Sequence, residues 1–552
     1  MADFEVRLLS SLAKVFPRNA PFSRHEEIWL SALGGETISF QVAYKQNEDI
    51  FRSWITLKVE TANDEVVVNT RRVRYMPGYM PGFYKTDDGY LNSEDGLFPD
   101  LLESFDRLPS VTGVWQCIWV DIVVPPEAKS GRYPIKANLI SADGEDLCSV
   151  ETSFEIIAVD ILPLDIPRTH WFHTDCLAEY YGVEVFSEKY WEIVENFASY
   201  AVKHGINTLL TPIHTPPLDT EVGGERLTVQ LIDVTVTEGS DGDVYTFDFG
   251  KMERWVYMCR RVGVEYYEIA HLFTQWGAYH APKIMGKKNG EYRRLFGWET
   301  DAAGAEYAGY LRQMLPALTA KLVEWGISDN VFFHISDEPN MDTYESYSSA
   351  WKIVGPLLNG YKIVDALTNY EFYKQGMVSV PVPAVDHIEP FLDGNVDELW
   401  CYYCCVQSYK VPNAFFMLPS YRSRILGVLM YKYNIAGFLQ WGYNFYSCMH
   451  SIYPVNPFCV TDADGTFPSG DAFLVYPGKD GKPLASLRLL VVQEAFKDFM
   501  ALKMLDKSIG RDEVVKLIDK GLAEPITFSS YPQNEEYILN LRQLVNRKIA
   551  EN

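Results

Sequence analysis

Val331-Phe332-Phe333-His334-Ile335-Ser336-Asp337-Glu338-Pro339-Asn340 is a short β-prone run that ends in two adjacent acids and a proline. This is the pattern of a buried strand that delivers carboxylates to a surface cleft. Ionising both neighbours in a dry cleft is costly, so an anionic Asp337 raises the pKa of Glu338 and keeps it protonated as a proton donor. The competing reading is a strand end whose acids cap the next helix, since Asp and Glu favour helix N-termini. Ideal strand alternation turns successive side chains to opposite faces, so the strand must bend or end for both acids to serve one cavity. Pro339 disfavours helical geometry at Glu338 and is expected to hold it extended.

Around this run, strand-like segments alternate with amphipathic ones, the signature of a parallel sheet covered by helices. Eight strands are expected, near residues 169–173, 206–210, 264–267, 330–332, 361–364, 386–388, 398–401 and 435–438. The clearest helices are 187–204, 251–262, 305–325, 343–358, 421–433 and 485–505, and helical patterning is weak after the fifth and sixth strands. Eight alternations point to a (β/α)8 TIM-like barrel, whose ligands bind at the C-terminal ends of the strands. Asp337 and Glu338 fall there. So do His173 and Asp175 after the first strand, His214 after the second, and His271 and Trp276 after the third. Asn369 follows the fifth, and Trp441, Tyr443 and Asn444 follow the eighth. Two insertions leave the same rim: residues 216–250, where 227–232 and 244–249 read as a hairpin, and residues 274–300. Loops this long in a compact domain usually carry function.

Upstream, short alternating runs such as 37–44, 115–124 and 135–140, punctuated by turn clusters, imply a β-sandwich. Ile161-Leu162-Pro163-Leu164-Asp165-Ile166-Pro167 reads as the linker. Two helical stretches, 512–522 and 535–550, follow the barrel. The expected architecture is multidomain, all-β then α/β: a β-sandwich over residues 1–165, the barrel over 166–507 and a C-terminal helical extension over 508–552.

A chain of 552 residues exceeds one ordinary core. Its formal charge of −25 argues against a nucleic-acid or anionic membrane partner, both of which would repel it. Thirty-five Tyr and 13 Trp suit the apolar faces of sugars. No run of about 18 uncharged apolar residues occurs, so no membrane insertion is expected. The start lacks an apolar signal core, and the chain reads as cytoplasmic as written. Nine scattered cysteines favour reduced thiols. Cys401, Cys404 and Cys405 lack the second pair of a zinc site, and Asp462-Ala463-Asp464-Gly465 lacks the glutamate that closes a calcium loop. No nucleotide-binding or serine-hydrolase motif is present. Neither a metal nor a cofactor is expected.

His334-Ile335-Ser336-Asp337-Glu338-Pro339, Leu439-Gln440-Trp441-Gly442-Tyr443-Asn444 and Gly470-Asp471-Ala472-Phe473-Leu474-Val475-Tyr476-Pro477-Gly478 together resemble glycoside hydrolase family 123 over nearly the whole chain. The resemblance implies a β-N-acetylgalactosaminidase that removes non-reducing terminal GalNAc, from glycosphingolipid glycans among others, with retention. It implies that Glu338 is the acid and base while Asp337 holds the 2-acetamido group, whose oxygen attacks the anomeric carbon. Trp276, Tyr402, Trp441 and Tyr443 are the expected walls of the sugar site. Asp175, His214, His271 and Asn369 are candidates for hydroxyl recognition. Either Tyr402 or Tyr403 points inward, since alternation admits one of them. Two rivals stand beside this reading: a conventional retaining glycosidase with Asp175 or Glu389 as nucleophile, and a non-catalytic carbohydrate-binding protein.

Overall fold

Alternation in the first 160 residues builds two five-stranded sheets in the computed structural model, which describes residues 4–21, 28–47, 54–240 and 242–552. One sheet orders Phe4–Ser10, Thr37–Gln46, Gln116–Val123, Val67–Gly78 and Gly96–Glu103. The other orders Trp29–Gly34, Asp146–Asp160, Gly131–Ser141, Trp54–Thr61 and Leu108–Pro109. Register sets Phe40 opposite Val120 and Val42 opposite Ile118, so the apolar faces of both strands coincide. These residues share a buried cluster with Ile55, Ile135, Leu139, Phe154 and Ile156 of the second sheet.

Residues 166 onward form a parallel eight-stranded barrel that is nearly closed. In chain order its strands are Arg168–His170, Thr208–Thr211, Tyr266–Ile269, Val331–Phe333, Lys362–Leu367, Val380–Pro383, Trp400–Tyr402 and Gly437–Gln440. The first pairs with the eighth as well as the second. Inward positions Trp171, Leu210, Ala270, Phe332, Val364, Ala366, Val382, Trp400, Tyr402 and Leu439 fill the interior. Helices Glu188–Lys203, Gly250–Val262, Ala305–Glu324, Tyr344–Val354, Ser420–Lys432 and Leu487–Ile509 surround it. After the fifth and sixth strands the helices shrink to Glu371–Lys374 and Glu389–Asp393.

The sixth strand lies at Val380–Pro383, not at residues 386–388 as expected. Pro381 and Pro383 argue against a strand because neither can donate to a ladder. The donors they lack match a weak seam: the sixth and seventh strands meet through the single bridge between Ala384 and Tyr402, with Val385 N–H donating to the Tyr402 carbonyl at 3.0 Å. The first insertion also departs from expectation. Its hairpin pairs Asp233–Gly239 with Gly242–Asp248, while residues 227–232 form no strand. Leu231 there donates to the Pro212 carbonyl, and the Gln230 amide bonds across to Met285. Asp233–Gly239 pairs in parallel with Ile284–Lys288 of the second insertion, so the two excursions join into one four-stranded sheet beside the rim.

The C-terminal helices are packed into the rest of the molecule. Ile538, Leu541, Val545 and Ile549 of Glu535–Glu551 belong to an apolar cluster that also contains Leu9, Leu33 and Trp119 of the N-terminal sheets and Phe438 of the barrel. Arg542 pairs with Glu36 of the N-terminal region and, at 3.0 Å, with Asp498 of Leu487–Ile509. Arg424 reaches the other oxygen of Asp498 at 2.7 Å. Among the described residues no helix is long and apolar enough to cross a membrane.

Removing one member of a buried ion network strands the opposite charge, at a cost of about 3–5 kcal/mol. Arg542→Ala is therefore expected to lower the midpoint of urea unfolding strongly, measured by tryptophan fluorescence, whereas Lys516→Ala, an exposed pair with Glu513, leaves it unchanged.

Candidate active site

The fourth barrel strand alternates as its residues require. Phe332 faces the interior cluster, and Val331 and Phe333 join the outer one. His334 follows inward and Ile335 outward. The Ser336 hydroxyl then donates to the Thr274 carbonyl at 2.8 Å, and Trp276 N–H donates to the Asp337 carbonyl at 2.9 Å. These bonds end the strand against the loop that follows the third strand. Glu338 takes a left-handed conformation, φ 45°, rather than the extended one expected before Pro339. That turn departs from strand alternation and puts Asp337 and Glu338 on one cavity. A residue so placed stores about 1–3 kcal/mol of strain, which surrounding contacts must offset. Asp219 and Trp276, on the same cavity, also have positive φ, 40° and 59°.

The cavity is an open cleft with about 640 Å³ between its lining atoms. Trp171, Trp276, Trp441 and Phe467 form aromatic walls, with Leu218, Ala366 and Leu439 as aliphatic ones. Its polar lining is Asp219, Gln275, Asp337, Glu338, Tyr402, Cys404 and Cys405. The Tyr402 hydroxyl donates to Glu338 Oε1 at 2.6 Å. Trp441 Nε1 donates to Asp471 Oδ2 at 2.8 Å, which fixes the plane of that wall.

Burial raises the pKa of both acids. Asp337 is pushed up further by the negative charges of Glu338, Asp365 and Asp219, against the opposing pull of the His334 cation. For Glu338 the Tyr402 hydrogen bond favours the anion and partly offsets burial. Both acids are thus held towards the neutral form, whereas the sequence alone suggests an anionic Asp337. Asp219 is raised to about 6, chiefly by burial.

Beneath the acids lies a buried charge cluster. His334 Nε2 contacts Glu268 Oε1 at 2.6 Å and its Nδ1 contacts Asp365 Oδ1 at 3.0 Å. Although burial opposes the charged form, the two carboxylates raise His334 to about 9 and hold it as an imidazolium. Glu268 also accepts from Trp171 Nε1 at 2.8 Å and from Thr169, while Asp365 accepts from Ile335 N–H at 3.1 Å and from the Tyr347 hydroxyl. His271, His334 and Asp365 place donor atoms within 4.8 Å of one another, close enough to suggest a metal. The His271 and His334 rings are stacked at 4.3 Å, however, and both His334 nitrogens are engaged by carboxylates, so the donor set fits a cation in place rather than a metal ligand.

Of the residues singled out from sequence, Asp337, Glu338, Trp276, Tyr402 and Trp441 meet on the cavity. Tyr402 points inward, and Tyr403 joins the outer cluster. The others lie elsewhere; His173 and Asn444 bond to each other, His173 N–H donating to Asn444 Oδ1 at 2.9 Å. Asp175 is buried in an ion pair with Arg226 at 2.7 Å, and Arg226 also reaches His173. His214 Nε2 meets the Tyr310 hydroxyl at 3.0 Å, inside the packing of Ala305–Glu324. His271 lies under the floor, buried, with both ring nitrogens unpartnered. Asn369 accepts from Glu371 N–H at 3.0 Å and starts the short helix Glu371–Lys374. Tyr443 is buried, its hydroxyl on the Phe197 carbonyl at 3.1 Å. Glu389, the other expected nucleophile, is exposed at the start of its helix and does not line the cavity. Sequence reading missed Trp171, Leu218, Asp219, Gln275, Ala366, Cys404, Cys405, Leu439 and Phe467. Inward parity along the strands marks Trp171, Ala366 and Leu439, whereas the loop residues carry no local signal.

A group whose pKa is raised on folding contributes stability that is full below its unfolded value, about 6.5 for histidine, and is lost as pH rises through the folded value. With His334 raised to about 9, wild-type unfolding free energy should fall between pH 6 and pH 10 by more than that of His334→Gln. Equal slopes in denaturant titrations across that range would show that His334 is neutral.

A search of curated proteins finds no match. Among solved structures, a family 123 glycoside hydrolase from Clostridium perfringens, described in connection with glycolipid glycan hydrolysis, superposes over 99% of this chain and 97% of its own, at 14% identity with a TM-score of 0.73. A β-glucosidase from Listeria innocua aligns over only 29% of this chain and 17% of its own, at 13% identity with a TM-score of 0.14, and the N-terminal domain of PorA over 28% and 99%, at 8% identity with a TM-score of 0.17. The family model for the glycoside hydrolase 123 catalytic domain matches residues 171–505, which include every residue that lines the cavity. The chain belongs to glycoside hydrolase family 123.

Proposed function

We propose that this glycoside hydrolase is a retaining exo-glycosidase that removes non-reducing terminal β-linked N-acetylgalactosamine, glycosphingolipid glycans being among its substrates, by substrate-assisted catalysis. The observation that supports this reading is the pair Asp337 and Glu338, brought onto one aromatic-walled cavity by a left-handed turn. Glu338 protonates the glycosidic oxygen and later deprotonates water. The substrate's acetamido oxygen attacks the anomeric carbon, and Asp337 accepts the acetamido N–H and stabilises the oxazolinium-like intermediate. A hydrogen bond from that N–H favours the Asp337 anion, which leaves Glu338 as the protonated acid. Trp171, Trp276, Trp441 and Phe467 enclose the ring and the acetamido methyl. This chemistry is complete without a metal or cofactor. The architecture is read as a β-sandwich, residues 1–165, leading into a (β/α)8 barrel, 166–507, with a helical extension, 508–552. A reducing, cytoplasmic setting suits its nine free thiols.

Asp219 favours a second reading. It is a third carboxylate on the cavity, so a conventional two-carboxylate mechanism would use it, and not Asp175 or Glu389, as nucleophile. Its pKa near 6 and its bond from His450 N–H at 3.1 Å suit hydroxyl recognition better.

Glu338→Gln is expected to lower hydrolysis of an aryl β-GalNAc by about 10²–10⁴-fold, and Asp337→Asn by about 10²–10³-fold, both read as kcat. Near-normal turnover by Asp337→Asn, or equal hydrolysis of the 2-hydroxyl pyranoside, defeats the substrate-assisted assignment. Asp219→Asn is expected to raise KM several-fold with kcat largely kept; loss of kcat, together with labelling of Asp219 by a fluoro-sugar, would instead establish the two-carboxylate route.

A further inference from the structure

Cys404 and Cys405 stand side by side on the loop that leaves the seventh barrel strand, and both line the cavity with Tyr402, Trp441 and Phe467. The chain holds nine free cysteines, and these are its only sequence neighbours of that kind. The Cys404 thiol donates to Gln407 Oε1 at 3.2 Å, and Cys405, the next residue, lines the same cleft. The loop that carries them is fixed: Gln407 Oε1 accepts from Cys404 N–H at 2.9 Å, Gln407 Nε2 donates to Asp386 at 3.1 Å, and the Asn413 amide holds the carbonyls of Cys404 and Gln407 at 2.9 and 2.8 Å. Cys405 is 9% exposed and Cys404 more so, and both open onto the cleft. The neighbouring Cys405 thiol, then burial and the carboxylates of Glu338 and Asp471, push the Cys404 thiol up; Cys404 pulls the Cys405 thiol down, but burial and the same carboxylates leave it raised, so reagents that need a single thiolate find poor nucleophiles here. A reagent that binds both sulfurs gains its second bond intramolecularly.

We propose that Cys404 and Cys405 form a dithiol site in the wall of the cleft that takes one trivalent thiophilic centre, a monosubstituted organoarsenical being the chemical class. The reaction is a condensation: two As–S bonds form, the arsenic–oxygen bond of R–As=O breaks, and the oxygen leaves as water with both thiol protons. Arsenic remains trivalent and nothing is oxidised. The organic substituent then occupies the space between Tyr402 and Trp441 and closes the cleft to a sugar.

The test treats the full chain with one equivalent of phenylarsine oxide and reads intact mass, not turnover, so its outcome is independent of which glycan is cleaved. Expected is one phenylarsenic bridge per chain, mapped by peptide mass spectrometry to residues 404–405, with both thiols then protected from iodoacetamide in denaturant. Excess 2-mercaptoethanol leaves the bridge in place and 2,3-dimercaptopropanol removes it. Cys404→Ser and Cys405→Ser each lose the bridge to the monothiol, while Cys459→Ser, which removes the exposed cysteine, behaves as wild type. A bridge mapped elsewhere, no bridge in the wild type, or one that survives the monothiol in either single variant overturns the proposal. Should a variant fail to fold, the wild-type peptide map and protection pattern decide alone.

Discussion

The cation formed by His334 between Glu268 and Asp365 is the contact on which the floor of the cleft depends. Two carboxylates buried without a counter-charge would be prohibitively costly, and one imidazolium with a hydrogen bond to each meets that cost. Each carboxylate spends its remaining capacity on the barrel: Glu268 on Thr169 and Trp171 beside the first strand, Asp365 on Ile335 N–H and Tyr347. Four barrel strands, the first, third, fourth and fifth, are thereby tied at one level. His271, stacked on the cation and held well below the usual histidine range by burial and by His334 itself, stays neutral; two cations face to face in a dry interior would repel strongly.

That tied floor explains how the rim sustains strained backbone. Glu338, Trp276 and Asp219 all adopt positive φ without being glycine, and each is tied by a hydrogen bond to a residue far from it in sequence. Trp276 N–H is fixed on the Asp337 carbonyl, which couples the two turns directly. The Asp219 turn is fixed by His450 N–H on its carboxylate and by the Ser451 hydroxyl on its carbonyl at 2.7 Å. Strain concentrated where carboxylates must converge is a mark of preorganisation: the geometry is set on folding, and the acids do not have to be gathered when a ligand arrives.

Seven of the eight barrel strands, the main covering helices and the paired acids could be read from the sequence because each has a periodic or compositional cause. The exceptions share a physical origin in contacts that no local window contains. Val380-Pro381-Val382-Pro383 has the composition of a turn and becomes a strand through pairing with Lys362–Leu367. Residues 227–232 have the composition of a strand and are drawn instead into bonds with Pro212 and Met285. His214, Tyr443 and Asp175 follow strand ends, as cleft residues do, but His214 Nε2, the Tyr443 hydroxyl and the Asp175 carboxylate are engaged by Tyr310, Phe197 and Arg226. Being polar near a strand end is shared by ligand-binding and by structural side chains; only the partner distinguishes them. The left-handed turn at Glu338 was hidden for the same reason, because Pro339 alone favours the opposite geometry.

The stretch Gly470–478 shows how far from the chemistry such a partner can lie. Asp471 orients Trp441 through its indole N–H, and the Gln440 amide donates to the Asp471 carbonyl at 2.9 Å. Tyr476 donates to Asp100 Oδ2 at 2.6 Å, and Arg488 grips the same carboxylate at 2.9 and 3.0 Å while also donating to the Gly470 carbonyl. Asp100 belongs to the N-terminal sheet strand Gly96–Glu103. The same region reaches the rim again, where the Ser469 hydroxyl donates to the Tyr79 carbonyl at 2.8 Å and Phe83, like Trp441 and Cys404, packs against Cys405, Ala463 and Phe467. One wall of the cleft is therefore aligned by N-terminal strands that supply no acid to it. The N-terminal sheets act as a brace for Trp441, and a barrel severed from them would keep its carboxylates while losing the contacts that fix one aromatic wall of the cleft.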